Sequence, residues 1–355
     1  MVYTLISKFT NYFPCIFPYK KKPNKRPPSL ITNTTNADEP RDSRDPTTIN
    51  PLDSAYDTNI PYEELWRSAI RCKLIHGNYT DIYDLWMMAN NPQLEEEILP
   101  SIDEAYLHEL RGTSLPVSFQ TTGDHVDIPI SIQLWQREKT IYMTFRIDKM
   151  TEAKIIKKHM KLHRIVDNIC VNRFFYRRLL SVIKEIIIYF EEFKDDNYTL
   201  LLSGYSLSAV MAQIASAIFG RIFPNMYVKC HTFGSPKPGN GAFARWFLSI
   251  VKENYRVVYG NDPIVFIPTD CNWKHPMNTT LHFDRELHVN VSYRDIPWYK
   301  RIFLMRRIIK KLMIEGNKHN DHRFDNYIAH LWKYKRMTSY IYSICEADVF
   351  VQTPL

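Results

Sequence analysis

Hydrophobic positions change period along the chain, and each change marks an element. "YEELWRSAIRCKLIH" repeats apolar residues every three or four positions, as does "EEILPSIDEAYLHEL", and this spacing predicts a helical stretch from Pro61 to about Leu110. From Val117 the period falls to two: "VSFQTTG", "DIPISIQLWQ" and "TIYMTFRI" alternate as strands joined by turns do. "NRFFYRRLLSVIKEIIIYFEEF", Asn172 to Phe193, returns to the helical period with one apolar and one charged face, and it leads into the strand "YTLLLS". Next, "LLLSGYSLSAVMAQIASAIFG", Leu200 to Gly220, passes from an apolar strand through a small-residue turn into a long apolar segment of helical composition. Further strands follow at "MYVKCHTF", "YRVVYG" and "LHVNVSY". Strands alternating with helices predict an α/β chain with a mostly parallel central sheet covered by helices on both faces.

Polar segments divide the chain. From Lys20 to about Ile60 it is rich in Pro, Thr, Asn and Asp with almost no apolar period, so residues 1–60 read as a disordered basic leader and linker. Residues 61–114 then form a helical N-terminal segment, 115–345 the α/β domain and 346–355 a tail. The leader, "MVYTLISKFTNYFPCIFPYKKKPNKR", carries its charge after its apolar run, where a signal peptide carries it before. It is too short and broken to span a bilayer.

The chain of 355 residues has a formal net charge of +8, which favours an anionic partner surface. With no nucleic-acid motif present, a membrane is the expected surface and nucleic acid is not. Two segments suit it: Lys20–Arg26, with Cys15 as a conceivable acylation site, and the basic amphipathic stretch "WYKRIFLMRRIIKKLM", Trp298–Met313. The first also reads as an untethered terminus, and the second reads first as an ordinary surface helix packed on the sheet with a solvated basic face. A cytoplasmic or peripheral-membrane location is the expectation. The six cysteines are scattered without CxxC spacing, as free thiols are, and imply neither a disulfide framework nor a zinc site.

Ser206 stands at the pivot of the strand–turn–helix pattern. A nucleophile elbow needs small neighbours so that strand and helix approach closely, and Gly204 and Ser208 occupy those places. From this stretch alone, a catalytic nucleophile and a structural hydroxyl in a turn both remain open. Asp262, in "GNDP" after the strand "YRVVYG", is placed either as a functional loop carboxylate or as a turn former.

Five motifs run in one order between Thr140 and Tyr327. "LLLSGYSLSAVMAQIA" resembles the "TGHSLGGALA" signature of class 3 lipases, the fungal-lipase-like α/β-hydrolases. "HTFGSPKPGNGAFARWF", "YRVVYGNDPIVFIP", "LHFDREL" and "DHRFDNY" are similar to that family's following segments. The resemblance implies an α/β-hydrolase fold with Ser206 as nucleophile, Asp262 as acid and His322 as base, in the Ser, Asp, His order of such enzymes. His322 is chosen over His319 and His330 because its offset to Tyr327 reproduces the family pattern, and His282 falls on a non-catalytic histidine. The implied reaction is hydrolysis of a lipid ester, triacylglycerol lipase-like, through an acyl-enzyme, with no metal and no cofactor.

The chain departs from the family at the oxyanion hole, where each well-placed donor stabilises the developing charge by roughly 3 kcal/mol. Leu207 is expected to supply one backbone N–H. The second falls in "TFRID", where Asp148 replaces the usual Thr or Ser and Ile147 the glycine. In "ICVNRFFY", Asn172 and Phe174 stand where His and Gly are usual. These changes keep open a lipase-fold protein of impaired activity that binds lipid or a protein partner, and, within the enzymes, a phospholipase A1 or short-chain esterase. "KIIKKHMKLHRI", Lys154–Ile165, lies where relatives carry a lid, and a lid or a connecting helix is expected there.

Overall fold

The helical and alternating stretches resolve into a layered α/β arrangement in the computed structural model, which describes residues 60–76, 82–91, 104–121, 130–147, 160–193, 197–276, 279–283, 289–292 and 321–336. Three helices come first: α1 (Tyr62–His76), α2 (Ile82–Asn90) and α3 (Glu104–Leu110). Strands β1 (Val117–Gln120), β2 (Ile130–Arg137), β3 (Thr140–Ile147), β4 (Leu162–Val166) and β5 (Ile169–Asn172) precede α4 (Arg173–Phe190). Strand β6 (Thr199–Tyr205) runs into α5 (Leu207–Ile222), followed by β7 (Tyr227–Phe233), β8 (Gly239–Asn240), α6 (Gly241–Ile250) and β9 (Glu253–Tyr259). Strands β10 (Trp273–Lys274), β11 (Thr279–Phe283) and β12 (Val289–Ser292) follow, and residues 324–336 form helix α7.

The main sheet has the order β1-β2-β3-β6-β7-β9-β11-β12. Its centre, β3 through β11, is parallel throughout, while β1-β2, β2-β3 and β11-β12 pair antiparallel at its flanks. A parallel strand covered on both faces is apolar on both, which explains the unbroken "TLLLS" of β6. Leu200 and Leu202 join the core formed with α4 and α5. The alternate residue Tyr205 joins a second core containing Leu65, Ala69 and Cys72 of α1 and Phe324, Tyr327 and Leu331 of α7. Helix α5 is apolar on every side, and every residue from Leu207 to Phe219 is buried, as suits a helix wedged between sheet, α4 and α6.

One element differs from the sequence expectation. The stretch expected as a lid or connecting helix ends in a strand: Leu162–Val166 pairs antiparallel with Ile169–Asn172 in a second, four-stranded sheet of order β10-β8-β5-β4. The reason is local, since Asp167 adopts a positive φ of 45° in the Asp-Asn turn that reverses the chain. The rest of that stretch, 154–159, lies outside the described residues, as do Lys20–Arg26 and Trp298–Met313. Asn172, noted for replacing a histidine, is the N-cap of α4: its side-chain oxygen accepts from the amides of Phe174 at 3.0 Å and Phe175 at 3.4 Å. Among the described residues no helix is long and apolar enough to cross a membrane, and Cys72, Cys170, Cys230 and Cys271 are free thiols.

Candidate active site

Ser206 joins β6 to α5 with φ 58° and ψ −131°, a region that costs a non-glycine residue about 1–3 kcal/mol. The flanking small residues make that turn possible. A β-carbon on Gly204 would stand 2.7 Å from both the Cα and the amide nitrogen of Ala209, closer than atoms approach. Ser208, in place of the family's glycine, closes the turn with its own hydroxyl, which donates to the Tyr205 carbonyl at 2.7 Å and accepts from the Tyr205 amide at 3.2 Å. The amide of Ser206 itself donates to the Phe233 carbonyl at the end of β7 (2.9 Å).

The loop after β9 and the turn before α7 bring two distant residues to this serine. Ser206 Oγ lies 2.7 Å from His322 Nε2, and His322 Nδ1 lies 2.7 Å from Asp262 Oδ2. With Nδ1–H donating to the carboxylate, Nε2 is left to accept the hydroxyl proton. Asp262 is fully buried, Ser206 nearly so, and the His322 side chain keeps 11% exposure. The second oxygen of Asp262 accepts from the Ile264 amide at 2.8 Å. A third donor reaches Oδ2: the Tyr327 hydroxyl, whose pKa is pushed well above the usual tyrosine value by burial first and by the Asp262 charge second. Tyr327 therefore remains a proton donor to the acid at any working pH.

Several residues to which the sequence reading assigned no catalytic role hold this arrangement. Gly234, at φ 58°, passes so close that a β-carbon there would lie 2.8 Å from Asp262 Oδ2, 2.9 Å from the Tyr327 hydroxyl and 3.2 Å from His322 Cε1. Asp321 Oδ2 accepts from the Asn261 amide at 2.9 Å. His282, read as non-catalytic, lies with Nε2 2.6 Å from the Gly260 carbonyl and so braces the loop that presents Asp262. None of these contacts has a signal in sequence spacing, because each crosses between strands or from a loop to the C-terminal helix.

Leu207 is the first residue of α5, so its amide belongs to the four that a helix leaves without an internal acceptor. The other expected oxyanion residue, Asp148, lies outside the described residues. Its neighbour Ile147 ends β3, the strand beside β6.

Among the described residues, one group outside the triad has metal-ligand character. Glu64 of α1, His231 of β7 and Glu253 of β9 bring one ligand atom each within 4.8 Å of one another. The Lys229 ammonium already lies between the two carboxylates, 3.0 Å from Glu64 and 3.2 Å from Glu253. Arg71 donates to Ser68 Oγ at 2.9 Å, and Ser68 Oγ lies 2.8 Å from His231 Nδ1. The Ser68 hydroxyl then donates to Nδ1, which puts the His231 proton on Nε2, facing the glutamates. Burial holds His231 below its usual pKa, hence neutral, and the His231 Nε2–H facing it from 3.9 Å, ahead of the Lys229 charge, lowers Glu253. The cluster is thus a polar tie between α1 and the sheet, with a lysine where a cation would sit.

Residues 140–271 match the family model for Lipase (class 3). Solved structures share the architecture across two thirds of the chain. A triacylglycerol lipase whose catalytic centre is formed by a serine protease triad superimposes with a TM-score of 0.51 at 18% identity, covering 66% of this chain and 85% of that one. The Rhizomucor miehei triacylglyceride lipase gives 0.50 at 17% identity, covering 66% and 85%. A mono- and diacylglycerol lipase from Aspergillus oryzae gives 0.50 at 14%, covering 66% and 88%. At these identities the likeness is one of fold, the α/β-hydrolase fold.

Proposed function

Since the chain is a divergent class 3 lipase-like α/β-hydrolase, we propose that it hydrolyses carboxylic esters of lipids, with Ser206 as nucleophile, His322 as base and Asp262 as acid. The observation that carries this reading is the unbroken hydrogen-bonded line from Ser206 Oγ through both ring nitrogens of His322 to Asp262 Oδ2, built on a strained elbow. Strain of that kind persists only where surrounding structure enforces it. Residues 115–345 are the hydrolase unit in this reading, with 61–114 as its N-terminal helical segment.

The steps follow from the donors and acceptors in place. His322 Nε2 takes the Ser206 proton as Oγ bonds to the ester carbonyl carbon, while Asp262 stabilises the imidazolium that forms. The backbone amides of Leu207 and Asp148 serve as the oxyanion donors, each lowering the barrier by roughly 3 kcal/mol. Collapse of the tetrahedral species breaks the bond to the alcohol, which leaves with the proton from Nε2. Water, deprotonated by the same nitrogen, then releases the acid from the acyl-enzyme. Asp262 keeps its charge throughout, with the Tyr327 hydroxyl and the Ile264 amide donating to it.

The substrate is an acyl ester of a glycerolipid, with phospholipids and short-chain esters as the competing classes. A fluorophosphonate probe tests the chemistry: folded wild-type protein labels covalently at Ser206 and Ser206→Ala does not. Absence of label on folded wild type overturns the reading in favour of a lipase-fold binding protein. Chain-length and head-group panels then divide the ester classes.

A further inference from the structure

His322 lies in a turn, outside any helix or strand, so regular hydrogen bonding does not orient its backbone. Tyr205, the residue immediately before the proposed nucleophile, meets it in two ways. The Tyr205 hydroxyl donates to the backbone carbonyl of His322. The Tyr205 ring also lies nearly parallel to the imidazole, with centroids 5.0 Å apart and planes 20° apart. The same tyrosine stacks on Phe324 at 4.2 Å and 15°, so the turn's two flanking rings both pack on it. It is 8% exposed. The family signature carries histidine at this place, so the phenol is a feature of this chain.

We infer that Tyr205 is the positioning residue for the base: it clamps the turn that carries His322 and presents a π-face to the imidazole. The inference rests on the proposed function, because it assigns the ring a task only if His322 accepts a proton. An aromatic face within about 6 Å attracts a cation, so the ring stabilises imidazolium over imidazole and does most as Ser206 loses its proton. Among the described residues, the groups facing His322 include Asp262 at Nδ1 and Ser206 at Nε2, with Tyr327 behind Asp262. His76 of α1 meets the edge of the Tyr205 ring at 5.9 Å, and Arg323, next in the chain, pairs with Asp325.

Two variants separate clamp from face. Tyr205→Phe keeps the ring and removes the hydroxyl; Tyr205→Leu removes both. Ester turnover as a function of pH is measured for each, together with thermal unfolding and an NMR titration of the ¹⁵N-labelled imidazole, assigned with His322→Gln. Tyr205→Phe is expected to retain the wild-type titration of His322 and to lose about tenfold in kcat with KM within about twofold, a loss confined to the transition state. Tyr205→Leu should lose kcat further, and its His322 titration and acidic limb should move down by about half a pH unit. Folded variants with wild-type kcat and titration, or a change in unfolding temperature alone, overturn the inference. If Tyr205→Leu does not fold, wild-type kcat in Tyr205→Phe does so. Should wild-type protein neither label nor turn over ester, the proposed function falls, and an unmoved His322 titration in Tyr205→Leu refutes the ring's role by itself.

Discussion

Asp321 accepts a hydrogen bond from the Asn261 amide at 2.9 Å, so the residue before the base holds the residue before the acid. The contact ties the loop after β9 to the turn before α7. Between them Gly260, at φ 52°, leaves no room for a side chain: a β-carbon would meet Asp321 Oδ2 at 2.7 Å. Acid and base are thereby fixed to each other before either meets the serine.

Removing that tie is expected to act on rate and on stability together. Asp321→Ala removes a part-buried hydrogen bond from the Asn261 amide, a cost of about 1 kcal/mol. We expect ester turnover to fall about tenfold, equivalent to roughly 1.4 kcal/mol in the barrier. Asp321→Asn retains an acceptor oxygen and should recover most of both. Steady-state kinetics and urea unfolding of the two variants check this, and equal losses in both would assign the effect to charge alone.

Gly234→Ala tests the close packing of the triad. Its β-carbon would push into Asp262 Oδ2, the Tyr327 hydroxyl and the His322 ring. The positive φ adds about 1 kcal/mol of backbone strain. Fluorophosphonate labelling should slow about a hundredfold, since displacements near 1 Å cost that much. Circular dichroism should remain that of the wild type.

The buried pair Arg71–Glu109 fastens α1 to α3, with N–O separation 2.6 Å and both side chains almost wholly buried. Arg71→Met alone leaves the buried Glu109 charge to Arg67, 3.6 Å away, and should cost about 3 kcal/mol. The double variant Arg71→Met, Glu109→Leu removes both charges and should recover at least half of that loss in urea unfolding. An additive double variant would show that the pair is not coupled.

His231 makes stability depend on pH. Burial lowers its pKa in the folded chain, so below about pH 6.5 the unfolded state binds more protons. Its stabilising contribution is present above that pH and lost as pH falls, by at most about 1.4 kcal/mol per pH unit. Glu253, lowered by the facing His231 ring and the Lys229 charge, loses its contribution in the same direction but at the lower pH of a carboxylate. The unfolding temperature of wild type should therefore drop between pH 7 and pH 5 more steeply than that of His231→Asn. Parallel curves would place the pH dependence elsewhere.

Periodicity alone determines much of this molecule. The shift from helical spacing at Tyr62 to alternation at Val117, and the apolar strand–turn–helix around Ser206, are local properties written in burial pattern. β11, Thr279–Phe283, was not legible as a strand because five residues are too few to fix a period, and the register of its parallel neighbour β9 gives it its place. The strand Leu162–Val166 was misread because basic residues interleaved with apolar ones satisfy either period over so few positions. Ser206, Asp262 and His322 were chosen as residue types in order along the chain, and order carries no distances. Tertiary structure decided what surrounds them: Tyr205 on the imidazole, Tyr327 and Gly234 against the carboxylate, Asp321 and His282 bracing its loop. Those contacts join residues up to 117 positions apart. They exist only because parallel strands end at one edge of one sheet, and that adjacency follows from strand order, which no local period encodes.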